Sequence, residues 1–197
     1  MSKRVFDFIC ASIGIFLLLP FFAIIAIWIK CDSKGPVFFR QERVGRNGKI
    51  FRIHKFRSMF TGSEDASKIT VGDDTRITPS GRFIRKYKID ELPQLIDVFY
   101  GKMSLVGPRP EVQEFIDLYP DDVRTKVLSV RPGITDRASI EMIDENEVLA
   151  QYGNPRDAYI TTVLPVKQKF YLDYVDHYSF LGDLIIILAT VKKILMR

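Results

Sequence analysis

Residues 9–29 read ICASIGIFLLLPFFAIIAIWI, and none of these side chains is charged. A run of this length matches the roughly 20 apolar residues needed to cross the hydrocarbon core of a bilayer. A secretory signal has a shorter apolar region that ends in small residues. This run ends in Trp28, Ile29 and Lys30, so residues 1–34 are expected to form a membrane helix. The helix could span straight through, or it could be re-entrant and return to the face it came from. Lys3 and Arg4 precede the run and Lys30 and Lys34 follow it, so flanking charge gives no clear orientation. Pro20 stands at its middle. Proline lacks a backbone donor and crowds the carbonyl four residues back, which predicts a kink there. Ser12 or nearby small residues could help satisfy the freed groups.

Outside this run the charge is uneven. The chain of 197 residues carries a formal charge of +5. Residues 36–109 hold 15 basic and 8 acidic side chains, whereas residues 110–197 hold 10 and 14. A basic middle calls for an anionic partner: nucleic acid, a phosphorylated substrate or anionic lipid. Cys10 and Cys31 have no metal-ligand spacing, and His54 and His177 are too far apart in sequence to suggest a His-based metal site.

Residues 35–59 read as a β-hairpin with strands over 37–40 and 50–55 and a turn at Asn47-Gly48. Residues 61–78 are polar and read as a loop. A short helix follows, starting near Thr78 or Ser80. Asp90 suits an N-cap for a helix from Glu91 to Tyr100, ended by Gly101. Helices are also expected over 111–118, 157–178 and 180–196. The last contains LIIILATVKKILM, apolar enough to pack on the core or lie on a membrane surface.

The stretch KYKIDELPQL (86–95) places Asp90 beside Glu91. Four other acidic pairs occur, at 64–65, 73–74, 121–122 and 144–145, so the dipeptide alone is uninformative. An ordinary cap with an acidic first turn would explain it. This pair, however, follows a basic helix carrying Arg82, Arg85, Lys86 and Lys88 and precedes an apolar one. Arg109 sits between two prolines, presented stiffly as a phosphate clamp should be. Arg131 in VRPGIT repeats the arrangement, and strand alternation puts Lys55 and Arg57 on one face. Each alone could be a solvated surface group; together they point to an anion site.

The blocks RQERVGRNGKIFRIHKFRSM, DDTRITPSGRFIRKYKIDELPQLIDVFYGKMSLVGPRPE and VRPGIT closely resemble the bacterial sugar transferase family, the monotopic phosphoglycosyl transferases. The resemblance implies a helix-rich α+β protein in its minimal form. A re-entrant membrane helix (1–34), turning at Pro20, would precede a compact cytosolic catalytic domain (35–197). That domain would carry a small β-hairpin and membrane-surface helices. It implies transfer of a sugar 1-phosphate from a UDP-sugar to polyprenyl phosphate, with UMP released, at the cytoplasmic face of the bacterial cell membrane. Asp90 would be the nucleophile and Glu91 would help bind Mg²⁺. Lys55, Arg57, Arg85, Arg109 and Arg131 are the candidate substrate-binding residues. Membrane lipids are expected partners, and the reading leaves room for a homodimer. Well-studied members carry Ser-Pro where this chain has Leu19-Pro20. After RPGIT it continues with DRASIEMIDENE (136–147), so sugar specificity does not carry over.

The chemistry is coherent in its own right. A nucleotide sugar and a lipid phosphate are both anions, and cations offset their repulsion. A carboxylate nucleophile divides the transfer into two displacements. A membrane-anchored nucleic-acid-binding protein would need a recognition helix or a stacking platform. Neither is legible, so no nucleic-acid partner is expected. A non-catalytic scaffold of a glycan-assembly complex would show no turnover.

Overall fold

The computed structural model describes residues 2–62, 70, 74–142 and 145–196. The predicted loop over 61–78 lies largely outside the described residues, as do residues 143–144 of the 136–147 segment. The fold is helix-rich α+β, with two small two-stranded sheets. Helix α1 (Ser2–Asp32) leads into strands β1 (Phe38–Val44) and β2 (Ile50–Phe56). Helix α2 (Pro79–Lys86), a 3₁₀ turn (Ile89–Glu91), α3 (Gln94–Phe99) and strand β3 (Ser104–Val106) follow. The remainder comprises α4 (Gln113–Ile116), α5 (Asp121–Val127), strand β4 (Gly133–Thr135), α6 (Arg137–Glu141), α7 (Glu145–Ala150), α8 (Pro155–Ala158), α9 (Leu164–Asp176) and α10 (Phe180–Leu195).

The 31 residues of α1 would measure about 46 Å at the usual rise of ~1.5 Å per residue. By length and composition this helix could cross a membrane. Its buried positions are Asp7, Ala11, Phe22, Ile25 and Ile29, one stripe at helical spacing. Its opposite side leaves Phe16, Leu17, Ile24 and Ile27 exposed. The helical assignment continues through Pro20 rather than breaking there. Ser12 does not relieve the carbonyl of Phe16, the one whose donor proline removes. Its Oγ donates to the Phe8 carbonyl at 2.7 Å instead.

Both ends of α1 are tied to the rest of the chain. Near its start, Arg4 donates to the carbonyls of Val98 and Phe99 at 2.6 and 2.7 Å. Asp7 accepts from the Ser104 hydroxyl at 2.8 Å, and Lys3 pairs with Asp183 of α10. At its far end, Asp32 accepts from the Ser80 hydroxyl at 2.7 Å. Between these anchors Ala11 packs with Phe51, Ile53, Val98 and Met103, while Phe22, Ile25 and Ile29 pack with Phe56, Ile84 and Ile89.

The hairpin is longer than the sequence predicted. Its register runs from Phe38 opposite Phe56 to Val44 opposite Ile50. Asn47 (φ 57°) and Gly48 (φ 75°) take the left-handed conformations that reverse the chain, which these residue types tolerate. Asp97 of α3, fully buried, accepts from the His54 backbone N–H at 2.8 Å and lies 2.8 Å from its Nδ1. Helix α3 thereby helps cover the outer edge of β2.

Asp90 is not the cap of a ten-residue helix. It lies inside the 3₁₀ turn, and α3 starts only after Pro93, which provides no side-chain cap. Gly101 (φ 74°) does end α3, as expected. Thr78 caps α2, accepting from the Gly81 N–H at 3.0 Å. Helix α4 is shorter than expected. Between α8 and α9 a π turn (Tyr159–Val163) precedes Pro165, whose missing N–H interrupts the α-helical ladder. Strands β3 and β4 run parallel, with Ser104 opposite Gly133. They bring the two proline loops into backbone contact: a Cβ on Gly133 would lie 2.1 Å from the Gly107 nitrogen.

Candidate active site

Lys88 enters the 3₁₀ turn at φ 55°, a left-handed conformation costing on the order of 1 kcal/mol or more for a side chain of this kind. That turn places Asp90 and Glu91 in the interior, 7% and 9% exposed. Beside them opens a cavity of about 230 Å³. Asp90, Lys55, Arg85 and Arg109 line it on one side, and Arg43, Glu111, Tyr159, Lys167 and Glu145 also border it.

The two acids have different surroundings. Glu91 is clamped: Lys55 Nζ lies 2.8 Å from its Oε1, and the Arg109 guanidinium donates to both of its oxygens. Burial works to raise its pKa, but Arg109 and then Lys55 outweigh it and hold the carboxyl well below the usual range. Asp90 has no such clamp. Its Oδ1 is buried with no hydrogen-bond partner among the described residues. Burial pushes its pKa up, opposed chiefly by Lys55. One carboxylate is thus fixed by cations while its neighbour, which lines the cavity, keeps a buried oxygen without a hydrogen-bond partner. A buried polar atom left open in this way is costly in a fold, which points to a functional role.

The basic residues read from the sequence divide into three groups. Lys55 and Arg109 contact Glu91, while Arg85 borders the cavity and its charge favours the ionised form of Asp90. Arg57 borders the cavity, but its guanidinium donates to the carbonyls of Ser33 (2.6 Å) and Lys34 (2.7 Å). It therefore satisfies acceptors left open at the end of α1. Strand β2 ends at Phe56, but the Arg57 N–H still donates to the Val37 carbonyl at 2.9 Å, and both Lys55 and Arg57 border the cavity. Arg131 lies away from the cavity, and its Nε donates to the Gly101 carbonyl at 2.8 Å.

Several lining groups were not singled out from sequence. Arg43 shares the alternation of Phe39 and Gln41 on β1, the same period of two that relates Lys55 to Arg57. Lys167 falls in the buried stripe of α9 with Leu164 and Tyr171, an unusual place for an unpaired lysine. It is paired, with Glu145 Oε2 at 2.8 Å.

Among the described residues, no cluster of three or more His, Cys, Asp or Glu could hold a metal. Two carboxylates do meet here. Carboxylate oxygens suit Mg²⁺, which commonly uses one or two of them plus substrate phosphates. The unpartnered Oδ1 of Asp90 and the second lone pairs of the Glu91 oxygens are donors of the type such an ion takes.

Fold and site together place a buried carboxylate pair, with cations beside it, in a chain that starts with a long apolar helix. The chain belongs to the bacterial sugar transferase family, which it matches over residues 1–197. It is 38% identical, over 98% of its length, to the UDP-N-acetylgalactosamine-undecaprenyl-phosphate N-acetylgalactosaminephosphotransferase of Aeromonas hydrophila, covering 43% of that protein. It is 40% identical, over 98% of its length, to the uncharacterized sugar transferase EpsL of Bacillus subtilis, covering 87% of it. It is 35% identical, over 99% of its length, to the undecaprenyl-phosphate galactose phosphotransferase of Salmonella typhimurium, covering 40%. The chain thus spans less than half of two of these relatives and most of the third.

Proposed function

We propose that this chain transfers a sugar 1-phosphate from a UDP-sugar to a polyprenyl phosphate in two displacements through Asp90. The observation that carries the reading is the buried, unpartnered Oδ1 of Asp90, on a residue lining the cavity, next to the doubly clamped Glu91. In the first step a carboxylate oxygen of Asp90 attacks the β-phosphorus of the donor. The bond from that phosphorus to the bridging oxygen breaks, and UMP leaves with the electron pair. In the second step an oxygen of the lipid phosphate attacks the same phosphorus, and the bond to Asp90 breaks. The carboxylate returns and the lipid carries a diphosphosugar. Neither step must gain or lose a proton, so no general base is required. Lys55, Arg85 and Arg109 offset the charge of the phosphates. Glu91 and Asp90 would hold Mg²⁺ together with those phosphates. When bound, the ion supplies charge neutralisation at the phosphoryl oxygens.

Intact mass after incubation with donor alone tests this reading. A phosphosugar adduct should form on the wild type and be absent from Asp90→Asn. Wild-type turnover without an adduct would replace the two-step route by direct transfer.

Helix α1 places the reaction at a membrane in this reading, with its exposed apolar side in lipid. UDP-sugars are cytosolic, so the body lies on the cytoplasmic face. Because that one body holds both ends of α1, the two ends are expected on the same side of the membrane rather than on opposite sides. Single cysteines at positions 2 and 34, in a background lacking Cys10 and Cys31, should both be protected from an impermeant reagent in intact cells. Labelling of position 2 from outside, with position 34 protected, would establish a span.

A further inference from the structure

The cavity has two poles of different charge. Around Asp90 the cavity wall carries Lys55, Arg85 and Arg109, so cations outnumber that carboxylate; Glu91, held by Lys55 and Arg109, does not itself line the cavity. The far pole carries Arg43 and Lys167 against Glu111 and Glu145, and these charges cancel. Its members are joined in sequence. Tyr159 Oη donates to Glu111 Oε1 at 2.9 Å, Lys167 Nζ lies 3.4 Å from Tyr159 Oη, and Lys167 Nζ lies 2.8 Å from Glu145 Oε2. Arg43 connects the poles: it donates to the Pro110 carbonyl at 2.9 Å, next to Arg109, and lies 3.9 Å from Glu111.

This pole is incompletely satisfied. An ammonium group has three donors, and Lys167 directs two of them to Glu145 and Tyr159. Arg43 Nε is buried without a hydrogen-bond partner among the described residues. Lys167 itself is 5% exposed. A buried lysine–glutamate pair is costly to desolvate and weak evidence for stability by itself. A pair of this kind on a cavity wall, with donors to spare, matches a polar uncharged ligand.

We infer that Lys167 and Glu145, with Arg43, form the subsite for the hydroxyls of the donor sugar and set which sugar is accepted. This rests on the two-step transfer proposed above. A sugar is neutral, and its hydroxyls both donate and accept, so an ammonium and a carboxylate side by side complement them. Uracil would want an open aromatic face. The ring of Tyr159 is already contacted by Phe115, with centroids 4.7 Å apart, and by Lys167 Nζ at 4.8 Å. Glu145 begins α7 and lies within the stretch, 136–147, where this chain departs from the family pattern.

The test is a panel of UDP-sugars that differ in single hydroxyls or at the 2-position, with the full chain and polyprenyl phosphate. UMP release gives kcat/KM for each donor, and added UMP gives an inhibition constant. Lys167→Met and Glu145→Gln should change the ratio of kcat/KM between the best donor and its epimers by at least ~10-fold, with UMP inhibition unchanged. Glu145 is the less buried partner, so Glu145→Gln keeps the test open if Lys167→Met does not fold. Equal losses across all donors would reduce the pair to a structural role. A matching loss of UMP inhibition would assign the pole to the nucleotide instead, and either result overturns the inference while leaving the transfer reaction intact. No turnover of any UDP-sugar by the wild type would overturn both.

Discussion

Arg109 and Arg131 start from similar local sequences. Arg109 stands in Pro108-Arg-Pro110, Arg131 is followed by Pro132 and Gly133, and the two loops touch through Gly107 and Gly133. Their side chains part company. Arg109 reaches the buried Glu91, which pushes its pKa well above the usual value. Arg131 reaches a single carbonyl, and burial together with Arg4 and Arg46 pushes its pKa down. Proline stiffens both loops, but the direction of each guanidinium follows the charge it can meet. One side of the parallel strand pair offers a carboxylate with a cavity behind it; the other offers a helix end and two more arginines.

The comparison has functional meaning only if the pole served by Arg109 is the reacting one. Asp90→Asn should therefore have the largest effect, a fall in turnover of ~10⁴-fold or more, the scale seen when a nucleophile is removed. Its fold should survive. The carboxyl has a raised pKa in the fold, so its ionised form is disfavoured there relative to the unfolded chain. That cost is present above the folded pKa and absent below the unfolded one. Asn removes it, so Tm at neutral pH should equal or exceed that of the wild type. A residual rate within tenfold of the wild type would show that the reacting group lies elsewhere.

Arg109→Ala comes next, with an expected loss of ~10²–10³-fold in kcat, as for a single charge-stabilising donor. It also removes one of the two cations holding Glu91, so some loss of Tm should accompany it. Arg109→Lys keeps the charge but not the two-pronged contact, and should fall between Ala and wild type. If Lys restores full activity, charge alone matters and the fixed direction of the guanidinium does not.

The same contrast shows what the sequence could reveal. The apolar period of α1, the Asn47-Gly48 turn, the Thr78 cap and the stop at Gly101 were legible because each depends on neighbours in the chain. Lys55, Arg85, Arg109 and the acid pair were legible as a group of charges that no single element needs. The different uses of Arg109, Arg57 and Arg131 were not, because each depends on which backbone or carboxylate the fold brings opposite. The 3₁₀ turn was missed for a related reason: Asp90 is a good cap by type, but Pro93 delays the start of α3. Lys167 was hidden because its partner Glu145 lies on a separate short helix.

pH dependence separates the poles on a smaller scale. Asp90 must be ionised to attack. Its pKa is raised by burial against the pull of Lys55, so kcat/KM should fall about tenfold per unit on the acid side, from a midpoint above the ordinary value near ~3.9. Lys55→Met removes the main group favouring the charged form, so this midpoint should move up. Arg131→Ala should not move it. An acid limb that stays put in Lys55→Met would mean that Lys55 does not govern Asp90.

The smallest effect is expected from Arg131 itself. Its described hydrogen bond goes to the Gly101 carbonyl, at the residue that ends α3. Losing one such bond from a partly exposed side chain should cost about 1 kcal/mol. For a chain of this size that corresponds to roughly 2–4 °C in Tm. Turnover with saturating donor should change by less than about threefold, because none of the groups around Asp90 is touched. The contact with Gly101 also sits where Arg4 of α1 approaches the same glycine, 3.1 Å from a Cβ placed there. Loosening it should therefore appear first as faster amide exchange around residues 98–103. A drop in kcat of the size expected for Arg109→Ala, with Tm unchanged, would place Arg131 back among the phosphate-handling residues.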